Sequence, residues 1–141
     1  MNPLDGDPYV QGQITYLDQA IGWARTAGLK VMLDLHGAPG SQNGFDNSGR
    51  YGPIDWQSGN NVPETLTAIQ NLADRYASQT DVVTAIELIN EPANWGLDMS
   101  QVKQFYCSCS LLFPVLISAA KSHLGTQLYG PWVGQHTDFQ P

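Results

Sequence analysis

The sequence predicts an α/β domain built on a parallel strand pair, and three observations lead there. Apolar residues at Ile14, Leu17, Ile21 and Ala24 recur at helical spacing, and the short apolar run 29–35 follows at once. The same order repeats with a stripe at Leu66, Ile69, Leu72, Ala73 and Tyr76 and a second apolar run over 81–89. Between the units lies a Gly-, Asn- and Ser-rich stretch, residues 36–62, too long for a hairpin. Strand, long loop, helix, strand implies parallel strands joined by a right-handed crossover. The residues themselves leave barrel and open sheet as alternatives.

Asp7-Pro8 opens the first helix, with Asp as N-cap and Pro at the first helical position. Gly28 stands where a C-terminal cap belongs. The run 29–35 reads as a buried strand. The stretch 36–62 contains Phe45, Tyr51, Ile54 and Trp56, so it is expected to be an ordered loop rather than a linker. Asn60 or Asn61 caps a helix starting near Pro63, and residues 82–89 form the second strand, adjacent and parallel to the first. A third helix begins near Met99 or Ser100 and runs through Val102 and Phe105. From Cys107 the pattern changes: Pro114 interrupts an apolar burst, a short helix is expected near 118–124, and 126–141 has no clear period.

With 141 residues the chain holds at most one domain, since domains usually span roughly 100–200. A 42% apolar content excludes global disorder. Six basic against thirteen acidic residues give a net charge of −7, and the basic residues are scattered. Nucleic acid and anionic membrane are therefore not expected as partners. No apolar run reaches the ~18 residues of a membrane span, and residues 1–7 do not resemble a signal peptide. Cys107 and Cys109 are too few for a zinc site or a disulfide framework, and no metal or cofactor is expected. The oligomeric state is left open.

Glu91 is the sharpest chemical signal. It follows a buried strand within Asn90-Glu91-Pro92, at the end of a parallel sheet where active sites assemble. A carboxylate half-screened from water there keeps its proton to higher pH and can pass it to a leaving group. Asn90 is placed to hydrogen-bond a sugar hydroxyl beside it. The structural alternative is a turn carboxylate capping the next helix. His36 holds the matching position after the first strand, as a donor to substrate or an orienter of carboxylates. Trp95, and Trp56 or Tyr51 in the long loop, are candidates to stack on sugar rings.

The segment 7–106 resembles the middle of a fungal exo-β-1,3-glucanase of glycoside hydrolase family 5. The resemblance rests on Pro8-Tyr9-Val10-Gln11-Gly12, Gly22-Trp23-Ala24-Arg25, the run from Asp34-Leu35-His36 to Asn47-Ser48-Gly49, and Ile89-Asn90-Glu91-Pro92. The run from His36 to Gly44 is highly specific, whereas Asn-Glu-Pro is shared more widely among related glycosidases. The resemblance implies a partial (β/α)8 TIM barrel, about strands three and four with their helices, and retaining hydrolysis of β-glucan or glucosides outside the cell or in the cell wall. It implies Glu91 as acid/base, Asn90 as the residue contacting the sugar at the reacting centre and His36 as a subsite residue.

The departures from that family are equally specific. Its earlier strands and their supporting arginine have no counterpart, and the familiar continuation stops after Tyr106. Residues 1–106 are thus expected to form a partial barrel and 107–141 an irregular, atypical tail of the kind a frame change or unspliced intron would append. The glutamates are Glu64, Glu87 and Glu91; Glu87 and Asp34 lie within strands, so the family's nucleophile is missing. The expectation is a truncated glucosidase, inactive as this chain alone. The alternative is a non-catalytic carbohydrate-binding or interaction module derived from the barrel.

Overall fold

The computed structural model describes residues 10–112. They form α1 (Ile14–Thr26), β1 (Val31–Asp34), α2 (Asn61–Tyr76), β2 (Val83–Glu87) and α3 (Met99–Leu112), with one 3-10 turn at Asp46–Ser48 in the long loop. Among the described residues β1 and β2 form a two-stranded parallel sheet in which Asp34 lies opposite Glu87. The α/β class and the parallel pairing are therefore as expected. The expected start of the first helix is not: Asp7-Pro8 lies outside the described residues, and α1 begins only at Ile14. Gly12, at φ +97°, has a backbone that a helix running on from Pro8 could not contain. The tail features expected at Pro114, 118–124 and 126–141 also lie outside the described residues.

α1 ends as its sequence suggests. Gly28 is left-handed at φ +70°, its N–H donates to Arg25 O, and the Leu29 N–H donates to Ala24 O. That bond pair is a Schellman cap, which turns the chain straight into β1. α2 starts at Asn61 with no side-chain cap from Asn60; the Asn61 amide instead donates to Asp55 O across the loop. Asp98 caps α3, accepting from Ser100 N at 2.8 Å. α3 continues unbroken through Cys107 and Cys109, past the point where the sequence pattern changes.

Two apolar clusters hold these elements. Ile21, Leu33, Tyr76, Val82 and Val83 join α1, α2 and the sheet, with Leu17 and Leu72 against them. The second unites loop and helices: Ala38, Trp56, Ile69, Ala73, Ile89, Val102, Phe105 and Cys109. Ile86 packs against both. Burial pushes the Cys109 thiol up to about 12, so it behaves as a small apolar core residue.

The long loop is ordered and folds back on itself. Asp55 N donates to Gly40 O, Trp56 N to Ser41 O and Gly52 N to Gly44 O. Gly40 and Gly44 are left-handed, and a Cβ on Gly40 would sit 2.7 Å from the Asp55 carbonyl. Only glycine permits that approach. Gln42, fully buried, then ties the loop to both strand ends. Its Nε2 donates to His36 O at 2.9 Å and to Asn90 O at 2.8 Å, its Oε1 accepts from Ala38 N, and its carbonyl accepts from Ala93 N.

At the opposite end, exposed ion pairs fasten the helices. Arg25 pairs with Asp81 at 2.7 Å and Lys30 donates to the Asp81 carbonyl. Arg75 and Tyr76 of α2 both donate to Asp18 of α1. The Arg75 guanidinium holds the Asp18 carboxyl below its usual value, and Arg25 does the same for Asp81.

Two outcomes are expected. Gln42→Ala removes the donor to the part-buried carbonyls of residues 36 and 90, and should lower unfolding stability by roughly 2–4 kcal/mol in urea titrations. For a carboxylate whose folded pKa is depressed, the stabilisation is present above the unfolded value near 3.9 and is lost as pH falls through the folded one. Asp18→Asn should therefore flatten the acid limb of stability against pH, while Gln42→Ala lowers the whole curve with its shape unchanged.

Candidate active site

The parallel register brings the C-terminal ends of β1 and β2 side by side, and the candidate residues lie just beyond them. His36 and Glu91 stand at the same end of the sheet, as expected. The pairing extends past the strands: Leu35 N donates to Glu87 O and Asn90 N to Leu35 O. Gln42 anchors the carbonyls of His36 and Asn90 together, so two of the four candidate residues share one buried amide.

Glu91 adopts a left-handed backbone at φ +46°, costly for a residue with a side chain and conspicuous just before a proline. It does not cap α3, since Asp98 does. Its Oε2 accepts from Asn47 Nδ2 at 3.4 Å, which links it to the 3-10 turn of the long loop. The half-screened environment expected for it is absent, and its side chain is exposed. The strand ends at Glu87, and Glu91 lies four residues beyond it in a left-handed turn. The partly buried carboxylate is Glu87 instead, its pKa raised first by burial and then by the negative charge of Asp34.

Asn90 precedes Glu91 with its side-chain Nδ2 buried and without a hydrogen-bond partner among the described residues. Such orphaned donors are uncommon in folded proteins and call for a specific explanation. His36 is exposed, with Nδ1 2.6 Å from Asp34 Oδ2. Trp95 is 67% exposed and lies against Phe45, ring centroids 5.7 Å apart and tilted by 44°. Together they form an apolar wall on the loops around Glu91. Tyr51 is also exposed. Trp56 is not available to a sugar: it is 0% exposed, stacks edge-on against Phe105 and donates from Nε1 to Thr65 Oγ1. Its place in the aromatic loop hid a core role.

Three contributors escaped the sequence reading. Gln42 and Asn47 lie inside the distinctive loop run, yet no periodicity marks a loop residue that turns inward. Glu87 has the sequence position of an ordinary strand residue, and only the packing half-buries it beside the charges of Asp34, His36 and Glu91. Among the described residues no group of three or more His, Cys, Asp or Glu side chains is arranged to hold a metal ion, and no helix is long and apolar enough to cross a membrane.

Comparison with known proteins extends this geometry. A glucan 1,3-beta-glucosidase of Blumeria graminis is 77% identical over 103 residues, 73% of this chain and 24% of that protein. A probable glucan 1,3-beta-glucosidase A of Aspergillus niger is 63% identical over 105 residues, 74% of this chain and 25% of that protein. The corresponding protein of Neosartorya fischeri is 65% identical over 107 residues, 75% and 26% of the two chains. The chain spans about a quarter of the length of the curated relatives it matches. The family model described as Cellulase (glycosyl hydrolase family 5) matches residues 5–109, and the chain belongs to that family.

Proposed function

We propose that this chain is part of a (β/α)8 barrel of exo-β-1,3-glucanase type, with β1 and β2 as about its third and fourth strands. Its substrate is β-glucan or a β-glucoside, hydrolysed with retention, outside the cell or in the cell wall. The observation that carries this reading is the buried, unpartnered Nδ2 of Asn90 immediately before Glu91. A sugar hydroxyl beside the reacting carbon supplies the acceptor that this donor lacks. The similarity to glucan 1,3-beta-glucosidases supports the choice of glucan.

In this reading Glu91 is the acid/base. Protonated, it gives its proton to the glycosidic oxygen as the C–O bond breaks; as carboxylate, it then takes a proton from the attacking water. Its exposure suits a group that must meet both leaving group and water. His36 and Trp95 bind the sugar, His36 from the end of β1 and Trp95 through its exposed ring face, braced by Phe45. Retention also requires a second carboxylate about 5–5.5 Å from the first. Asp34 and Glu87 lie within the strands, where one faces His36 and the other is half-buried, so neither fills that role. The nucleophile belongs to another part of the barrel, and the chain by itself is inactive. The exposed Trp95–Phe45 wall favours, as a second reading, glucan binding without turnover.

The 141-residue chain is expected to release no glucose from β-glucan or aryl glucosides in a coupled glucose assay. Joined to segments that restore the length of its relatives, it should turn over. There Glu91→Gln should slow glucan hydrolysis by roughly 10²–10⁴-fold while activated aryl glucosides lose much less, because only a poor leaving group needs protonation. Equal losses on both substrates would remove Glu91 from the acid/base role. Trp95→Ala in the same protein should weaken glucan binding roughly tenfold, about 1.4 kcal/mol, with little change in kcat. Glucan retention by the isolated chain on affinity electrophoresis, with no activity in the lengthened protein, would favour the binding-module reading.

A further inference from the structure

We propose that Asp34 is a positioning residue that holds neutral His36 as its Nδ1–H tautomer, leaving Nε2 as a hydrogen-bond acceptor. The sugar hydroxyl as its donor partner rests on the glucanase reading above. Residues i and i+2 of a strand share a face, so Asp34 lies directly behind His36 along the chain. Their Oδ2 and Nδ1 atoms are 2.6 Å apart, a short contact for two side chains on one exposed strand end. An ionised carboxylate offers only acceptors, so the shared proton must sit on Nδ1. In a neutral imidazole the other nitrogen then carries a lone pair.

The His36 backbone is equally constrained. Gln42 Nε2 binds the His36 carbonyl at 2.9 Å, and Leu35 is paired to Glu87 through its N–H. The imidazole therefore has its backbone held from inside the loop and its Nδ1 held by Asp34. Glu87, in register opposite Asp34, adds negative charge beside the pair. With an Nε2 acceptor on His36 and an unpartnered Nδ2 donor on Asn90, whose backbones Gln42 joins, the site has two groups of opposite hydrogen-bonding sense. Sugar hydroxyls, which donate and accept at once, can satisfy both.

The test is a long-range proton–nitrogen NMR correlation of the uniformly nitrogen-15-labelled 141-residue chain at about pH 8.5, some two units above the ordinary imidazole value near 6.5. Subtracting the spectrum of His36→Gln separates the His36 ring from those of His123 and His136. The wild-type chain should show His36 protonated on Nδ1. Asp34→Ala should reverse the majority tautomer to Nε2–H while the backbone amide spectrum stays dispersed. An Nε2–H majority in the wild-type chain overturns the proposal whatever the variant does, and an unchanged tautomer in folded Asp34→Ala overturns the role of Asp34. A β-1,3-linked glucose disaccharide should shift the His36 Nε2 resonance. No shift with the Nδ1–H tautomer intact supports the role of Asp34 and overturns the sugar contact, so the two readings fail separately.

Discussion

The side chain of Gln42 spans the gap between the two strand ends, and the geometry of the site depends on that single buried amide. Each of its hydrogen-bonding groups has a partner, and those partners belong to three chain segments: the turn after β1, the loop interior and the turn after β2. A buried primary amide is costly when unpaired and specific when fully paired. It therefore accepts one arrangement of these segments and penalises the rest. His36 and Asn90 are held through their carbonyls, so neither side chain is used in that fastening.

The loop that presents Gln42 is built by close backbone approach rather than by regular structure. Its two halves run against each other, with left-handed glycines at the points of contact, and Trp56 anchors the return half into the helix-lined core. That anchoring resolves a tension in the composition. So many glycines and asparagines in one stretch raise the entropy lost on folding. The buried indole, with its Nε1–H paired to Thr65, offsets the cost by burying a large apolar area without an unsatisfied polar atom. The result is a rigid rim from which Asn47 reaches Glu91 and Phe45 supports Trp95.

The two ends of the sheet are held by different physics. Before the strands, Arg25, Lys30 and Asp81 make exposed contacts, individually weak and sensitive to salt and acid. Beyond the strands the neutral Gln42 amide is the main fastening, with the Arg50–Asp55 pair on the loop beside it. This division suits a site that works with charges. Glu87 lies close enough to Asp34, His36 and Glu91 to feel the charge of each. The left-handed strain at Glu91 is tolerated because the turn around it is tied down at Asn90 and Ala93 by the same glutamine.

The amino-acid sequence by itself determined the two apolar strands, their parallel pairing, the Gly28 cap and the common end at which His36 and Glu91 stand. Those features follow from local periodicity and from the handedness of crossovers, which a linear pattern contains. It also marked residues 36–62 as ordered, because large apolar side chains in a loop must be buried somewhere. Which of them go inside was decided by tertiary structure alone: Trp56 became core and Tyr51 stayed exposed, although both read as aromatic loop residues. The exposure of Glu91, the partial burial of Glu87 and the inward turn of Gln42 were likewise invisible, since each depends on what lies across space. A strand announces its faces through alternation, but a loop residue has no period. Its role is set by partners such as residues 90 and 93, about fifty positions away along the chain.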